Sequence, residues 1–196
     1  MTCKGAALVF CLAAAPALAC PGPGDVMQGV VMTALDGTTD TFLQVSPDFV
    51  QGTYLDGAGD GSQYLLMRGV YLVEAFDIVQ GQARPETRAA YAYPPGPADV
   101  PMPVPGGRWD TGVTVLDRGE VRQMRESFEF GAETRITIGE CGYRMIPVLA
   151  TYHDEGGFQE RLHYLPELGF AYLAATLEPG QAPAPVVYVR IELARP

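Results

Sequence analysis

Hydrophobic positions recur along this chain with a period of two almost from end to end, the spacing of half-buried β-strands. "VMQGVVMTA" (26–34) and "TDTFLQV" (39–45), separated by the turn residues Asp36-Gly37, read as a hairpin. Ser46-Pro47-Asp48 marks the next turn, "DFVQGTYL" a strand and "DGAGDGS" (56–62) a loop. "GVYLVEAFDIV" (69–79) is apolar at both parities, as a strand buried on both faces would be. "TRAAYAY", "RWDTGVTVLD", "VRQMRESFEF", "TRITI", "YRMIPVLATY", "FQERLHYL" and "FAYLAATL" continue the series. In the closing "VVYVRIEL", Val187, Val189, Ile191 and Leu193 fall on one side, with Tyr188, Arg190 and Glu192 on the other. Only "VRQMRESFEF" also fits a helical repeat, through Val121, Met124 and Phe128. The pattern predicts an all-β chain of roughly 10–12 antiparallel strands with little helix. It leaves open whether they form a curved sheet or half-barrel, or a sandwich.

Two segments break the rhythm. "PPGPADVPMPVP" (94–105) holds six prolines in twelve residues. Proline lacks the donor a ladder needs, so this stretch is a polyproline-like excursion within a Pro-rich loop at 94–107, either a stiff crossing or a recognition loop. "EPGQAPAP" (178–185) is a shorter connection of the same kind. There is also an internal echo. "YLLMRGVYLVE" begins at Tyr64 and "YLPELGFAYLA" at Tyr164, with Gly69 and Gly169 each five residues after the tyrosine. Both read as strand, tight corner and strand.

The first nineteen residues read as a signal peptide. Lys4 supplies a short positive region, residues 5–15 an apolar core, Pro16 a break, and Ala17-Leu18-Ala19 a small-x-small cleavage site. No apolar run reaches the roughly twenty residues of a membrane-spanning helix. Residues 20–196 are then one exported domain, periplasmic or secreted. Lipid anchoring at Cys20 is the alternative, but Ala17 stands where a lipobox has Leu, and Leu18 where it has a small residue. Past the signal peptide only Cys20 and Cys141 remain, and two thiols in an oxidising compartment predict a disulfide. Twelve arginines, no lysine and twenty-three acidic residues in that span make nucleic acid an unsuitable partner.

Candidate chemistry is sparse. His153 and His163 lie ten residues apart across what reads as a hairpin, with Asp154 and Glu155 between them. Solvated histidines are the default reading, and a metal or base site the weaker one, because no H-x-H or H-E-x-x-H spacing is present. The three serines past the signal peptide, Ser46, Ser62 and Ser127, lie outside any G-x-S-x-G element. "DGAGDG" lacks the ligands of a calcium loop. No cofactor is implied, and a non-enzymatic role is expected.

The stretch "ITIGECGYRMIPVLATYHDEGGFQERLHYLPELGFAYLA" joins a Gly-x-Cys-x-Tyr strand, a polar hairpin and a "YLPELG" corner. It resembles exported bacterial half-barrel envelope proteins, such as the lipoprotein carriers of the Lol system and related uncharacterised families. The resemblance covers about forty residues of the C-terminal third. It implies a curved sheet whose concave face holds an acyl chain, although the long lid helices of such carriers are not evident in this sequence. A periplasmic module binding a lipid-like or other apolar molecule is therefore expected. Phe76, Ile78, Tyr143 and Met145, from strands apolar on both faces, would line its hollow, with Trp109 near the mouth. The alternatives are an envelope protein-interaction module using the Pro-rich loop or an edge strand, and a hydrolase built on the histidines.

Overall fold

A computed structural model describes residues 19–94, 96 and 99–195. The proposed signal peptide lies outside them except for Ala19. Among the described residues the only helical element is a 3-10 turn, Asp25–Met27, which drives Val26 into the core. Fourteen strands follow: β1 (Val30–Ala34), β2 (Thr39–Ser46), β3 (Phe49–Leu55), β4 (Gly61–Met67), β5 (Tyr71–Val79), β6 (Gln82–Ala92) and β7 (Arg108–Asp117). Next come β8 (Glu120–Phe130), β9 (Thr134–Ile138), β10 (Cys141–Tyr152), β11 (Phe158–Leu165), β12 (Phe170–Leu177), β13 (Ala184–Pro185) and β14 (Tyr188–Leu193). The all-β expectation holds, with more strands than the alternation showed. The strand echoed at Tyr64 starts earlier, at Gly61, as β4, and the two-residue β13 is an addition. The segment with helical spacing, β8, is a strand because its backbone pairs with both β7 and β10.

All pairings are antiparallel and belong to one sheet, in the order β13-β12-β11-β10-β8-β7-β6-β5-β4-β3-β2-β1-β14, with β9 set beside β10. This is neither a closed ladder nor two separate sheets. The ladder ends at β13 and β14, which the chain itself joins. Val186 N–H donates to Ala174 O of β12, and Val187 O accepts from Leu35 N–H just past β1.

Strands distant in this order pack on one another. Phe42 of β2 stacks on Phe170 of β12 with centroids 4.0 Å apart, and Tyr71 of β5 meets Phe128 of β8 edge-on at 4.8 Å. β12 is buried on both faces: Phe170 and Tyr172 join a cluster with Met32, Phe42 and Ile138, while Ala171 joins one around Tyr71 and Phe128. The two echoed corners dock together. Gly69 and Gly169 both hold positive φ, and Ala171 N–H donates to Gly69 O at 2.7 Å.

The N-terminal segment is pinned below β10. Cys20 and Cys141 form a disulfide with Cα atoms 5.5 Å apart, and the Tyr143 hydroxyl donates to Pro21 O at 3.0 Å. The described part of the Pro-rich loop is held down as well. Val100 is buried, the Tyr71 hydroxyl donates to Pro101 O, and Gly106 N–H donates to Phe130 O. Met102 and Val104 face outward.

Candidate functional site

A pocket partly open to solvent is set between the strands. A cavity of about 470 Å³ lies between β2–β6 on one side and β8, β10–β12 and β14 on the other. That volume falls in the range of small-molecule sites. Strand alternation builds its wall, each strand contributing every second side chain. β4 supplies Ser62, Tyr64 and Leu66; β8 supplies Met124, Glu126 and Phe128; β11 supplies Phe158, Glu160 and Leu162. Tyr54, Tyr91, Tyr93, Tyr152 and Tyr188 add to a lining that is mostly apolar and aromatic.

Into this wall are set three carboxylates, each accepting from tyrosine hydroxyls. Asp40 is held at both oxygens, by the Tyr64 hydroxyl at 2.9 Å and by the Tyr188 hydroxyl. Glu126 accepts from Tyr93 at 3.0 Å and Glu160 from Tyr152 at 2.7 Å. Burial favours the uncharged carboxyl and outweighs these hydrogen bonds. It pushes Glu126 up to about 7, with Glu155 and Glu160 adding repulsion, and it raises Asp40 and Glu160 as well. The partner tyrosines are buried beside negative charge, so Tyr64, Tyr93 and Tyr152 are pushed well above their ordinary value and keep their protons. They stay donors.

Local sequence explains the placements. Tyr64 pairs in register with Gly52 of β3, where a Cβ would come within 2.1 Å of the ring. The missing side chain lets the ring lie over the β3 backbone and aim its hydroxyl at Asp40. Trp109 stands beside the wall, paired in register with Phe128, and packs on Tyr93 and Phe128 with centroids 5.4 and 6.0 Å apart.

None of the five residues expected to line the hollow does so in this cavity. On β5 the cause is a bulge: Leu65 pairs with Glu74 and Leu66 with Leu72, which leaves Val73 unpaired and reverses the parity beyond it. Leu72 and Ala75 therefore line the cavity, whereas Phe76 pairs with Gln63 on the other face, and Ile78 follows Phe76. Tyr143 and Met145 belong to the cluster below β10, where Tyr143 ties down the N-terminal segment. A second bulge, at Val189, turns Tyr188 inward and leaves Val187 and Val189 exposed, the reverse of the strict alternation. Sequence reading missed Glu126 and Glu160. Each occupies an inward position of an otherwise apolar face, Met124-Glu126-Phe128 and Phe158-Glu160-Leu162. An acidic residue in such a row is the signal that could have found them.

The histidines are not neighbours across the hairpin. His163 stands opposite Pro147 in register, while His153 lies beyond the far end of β10. His163 is half-buried rather than solvated: it shares a hydrogen bond with the Tyr172 hydroxyl at 3.0 Å, and burial lowers its pKa. His153 Nε2 lies 2.6 Å from Ser127 Oγ, which also lies 2.6 Å from Asp110 Oδ1. Hydrogen bonds from Arg108 and Ser127 hold Asp110 well below the usual carboxylate range, so it is ionised. The serine proton therefore points to Asp110, and the histidine must donate to Ser127 Oγ. A nucleophilic serine needs its proton aimed at the base, the opposite arrangement. Among the described residues, no group of three or more His, Cys, Asp or Glu side chains is placed to hold a metal ion.

No protein-family model matches the chain, and no curated protein matches it in sequence. Among solved structures, the crystal structure of the hypothetical lipoprotein YmcC from Escherichia coli aligns with it at TM-score 0.42 and 10% identity. The alignment covers 83% of each chain, well beyond the C-terminal third. A likeness of that degree transfers neither a residue role nor an activity.

Proposed function

We propose that this protein is an exported, non-enzymatic binding module that holds an apolar small molecule in the tyrosine-lined cavity. The carrying observation is the cavity itself, about 470 Å³, partly open to solvent and walled mainly by aromatic and aliphatic side chains. A partly open pocket of this volume with mostly apolar walls is of the kind that takes a small molecule. Export is supported by the N-terminal pattern and by the Cys20–Cys141 bond, which belongs to an oxidising compartment. The same bond argues against lipid anchoring, because a sulfur joined to Cys141 cannot also form a thioether to a lipid. Native mass spectrometry of the processed protein, isolated from the envelope of its own host, tests the reading. A small-molecule adduct lost on unfolding supports it. A protein that flies only at its bare mass, both as isolated and after incubation with envelope extract, argues against it.

One observation favours a second reading, the envelope interaction module: Met102 and Val104 stand exposed on an anchored, proline-stiffened loop. Copurification of an envelope protein that is lost when both residues become Ser would support that role instead.

A further inference from the structure

Resting on the reading of the cavity as a ligand site, we infer that the ligand's polar end is an organic cation, an ammonium-like group on an apolar body, seated against Glu126 and Glu160. Four carboxylates line the cavity, and no Arg, Lys or His does. Two of the four are already matched. Asp40 is held at both oxygens by tyrosines, and Glu155 pairs with Arg122 at 3.2 Å.

Glu126 and Glu160 are each half-matched. Glu126 is 2% exposed, and Tyr93 reaches its Oε2; among the described residues no donor reaches Oε1. Glu160 takes the Tyr152 hydroxyl on Oε2, and again no described donor reaches the other oxygen. The remaining oxygens are not sealed within the protein but belong to carboxylates lining the cavity, where a donor or a positive charge on a ligand can reach them. Burial, with repulsion from Glu155 and Glu160, pushes Glu126 up to about 7, and a cation set against it would favour its charged form. Tyr91, Tyr93 and Tyr152 line the same region and offer ring faces of the kind that attract ammonium groups. An anionic acyl chain would set like charge against like. An alcohol or a sugar would fill a hydrogen bond without favouring the ionised carboxyl.

The test is displacement of a neutral apolar dye, N-phenyl-1-naphthylamine, from the processed protein. Octyltrimethylammonium, octan-1-ol, octyl glucoside and octanoate are compared as competitors. Octyltrimethylammonium should displace the dye at a concentration about tenfold below that of octanol, with octanoate the weakest. Glu126→Gln and Glu160→Gln should each erase that preference while retaining the dye. If octanol, octyl glucoside or octanoate competes as well as the ammonium, the inference falls and the cavity reading stands. If the folded wild-type protein takes up no dye, the reading and the inference fall together.

Discussion

Glu126 sits on the apolar side of its strand, between Met124 and Phe128, and its carboxyl is pushed up to about 7 mainly by burial. In the unfolded chain the same group titrates near 4.5, its ordinary value. Below pH 4.5 both states are protonated and the group contributes nothing. Between about 4.5 and 7 the unfolded state gives up its proton first, so stability falls as pH rises, by roughly 3 kcal/mol once both states are ionised. Asp40 and Glu160, also raised, act in the same sense. His163, lowered by burial, acts in the opposite sense as its own titration is crossed. Denaturant unfolding at a series of pH values should therefore show wild-type stability falling from pH 5 to 7.5. Glu126→Gln should flatten that slope. A variant with an unchanged slope would mean that Glu126 is not buried as described.

The cysteines are the other residue-scale test. The bond closes a long loop, so Cys141→Ala should lower stability by about 2–5 kcal/mol. Thiol titration of the unfolded, unreduced processed protein should find no free sulfhydryl. The disulfide could be read from the sequence because, once a signal peptide is assumed, only one pairing exists. The cavity carboxylates were harder to see, since an acidic residue in a strand looks solvated until its parity is fixed by its neighbours.

Among elements, the corners carry the clearest prediction. Arg68 and Gly69 both hold positive φ in a tight turn between β4 and β5, and Gly69 touches the β11–β12 corner. A Cβ on Gly69 would lie 2.0 Å from Gly169 O, whereas one on Gly169 would meet nothing within 4 Å. Gly69→Ala should therefore cost more than about 3 kcal/mol, the sum of left-handed strain and a backbone clash. Gly169→Ala should cost about 1–2 kcal/mol, the strain alone. Equal losses on thermal unfolding would refute the docking of the two corners. The strands themselves were legible because period-two alternation survives in most of them. The faces were not, because bulges at Val73 and Val189 reverse parity partway along β5 and β14. Those bulges put Phe76 on the face away from the cavity and Tyr188 on its lining. A bulge is fixed by pairing across the ladder, and pairing is not visible within a single strand.

At the scale of the whole molecule, a binding cavity must admit a ligand in solution. Its inner surface includes Leu162 and Leu173, which face each other's strand in register on β11 and β12. A tryptophan at either place would fill part of the hollow while the carboxylates and the disulfide are all retained. The most direct measurement is equilibrium titration of N-phenyl-1-naphthylamine into the processed wild-type protein and into Leu162→Trp and Leu173→Trp. Each variant is first shown to be folded by its unfolding transition. Saturable one-to-one fluorescence enhancement in the wild type, reduced at least about tenfold in affinity in both folded variants, is the predicted result. Enhancement that is absent from the wild type, or unchanged in both filled variants, would contradict the claim that this sheet is built around a binding cavity.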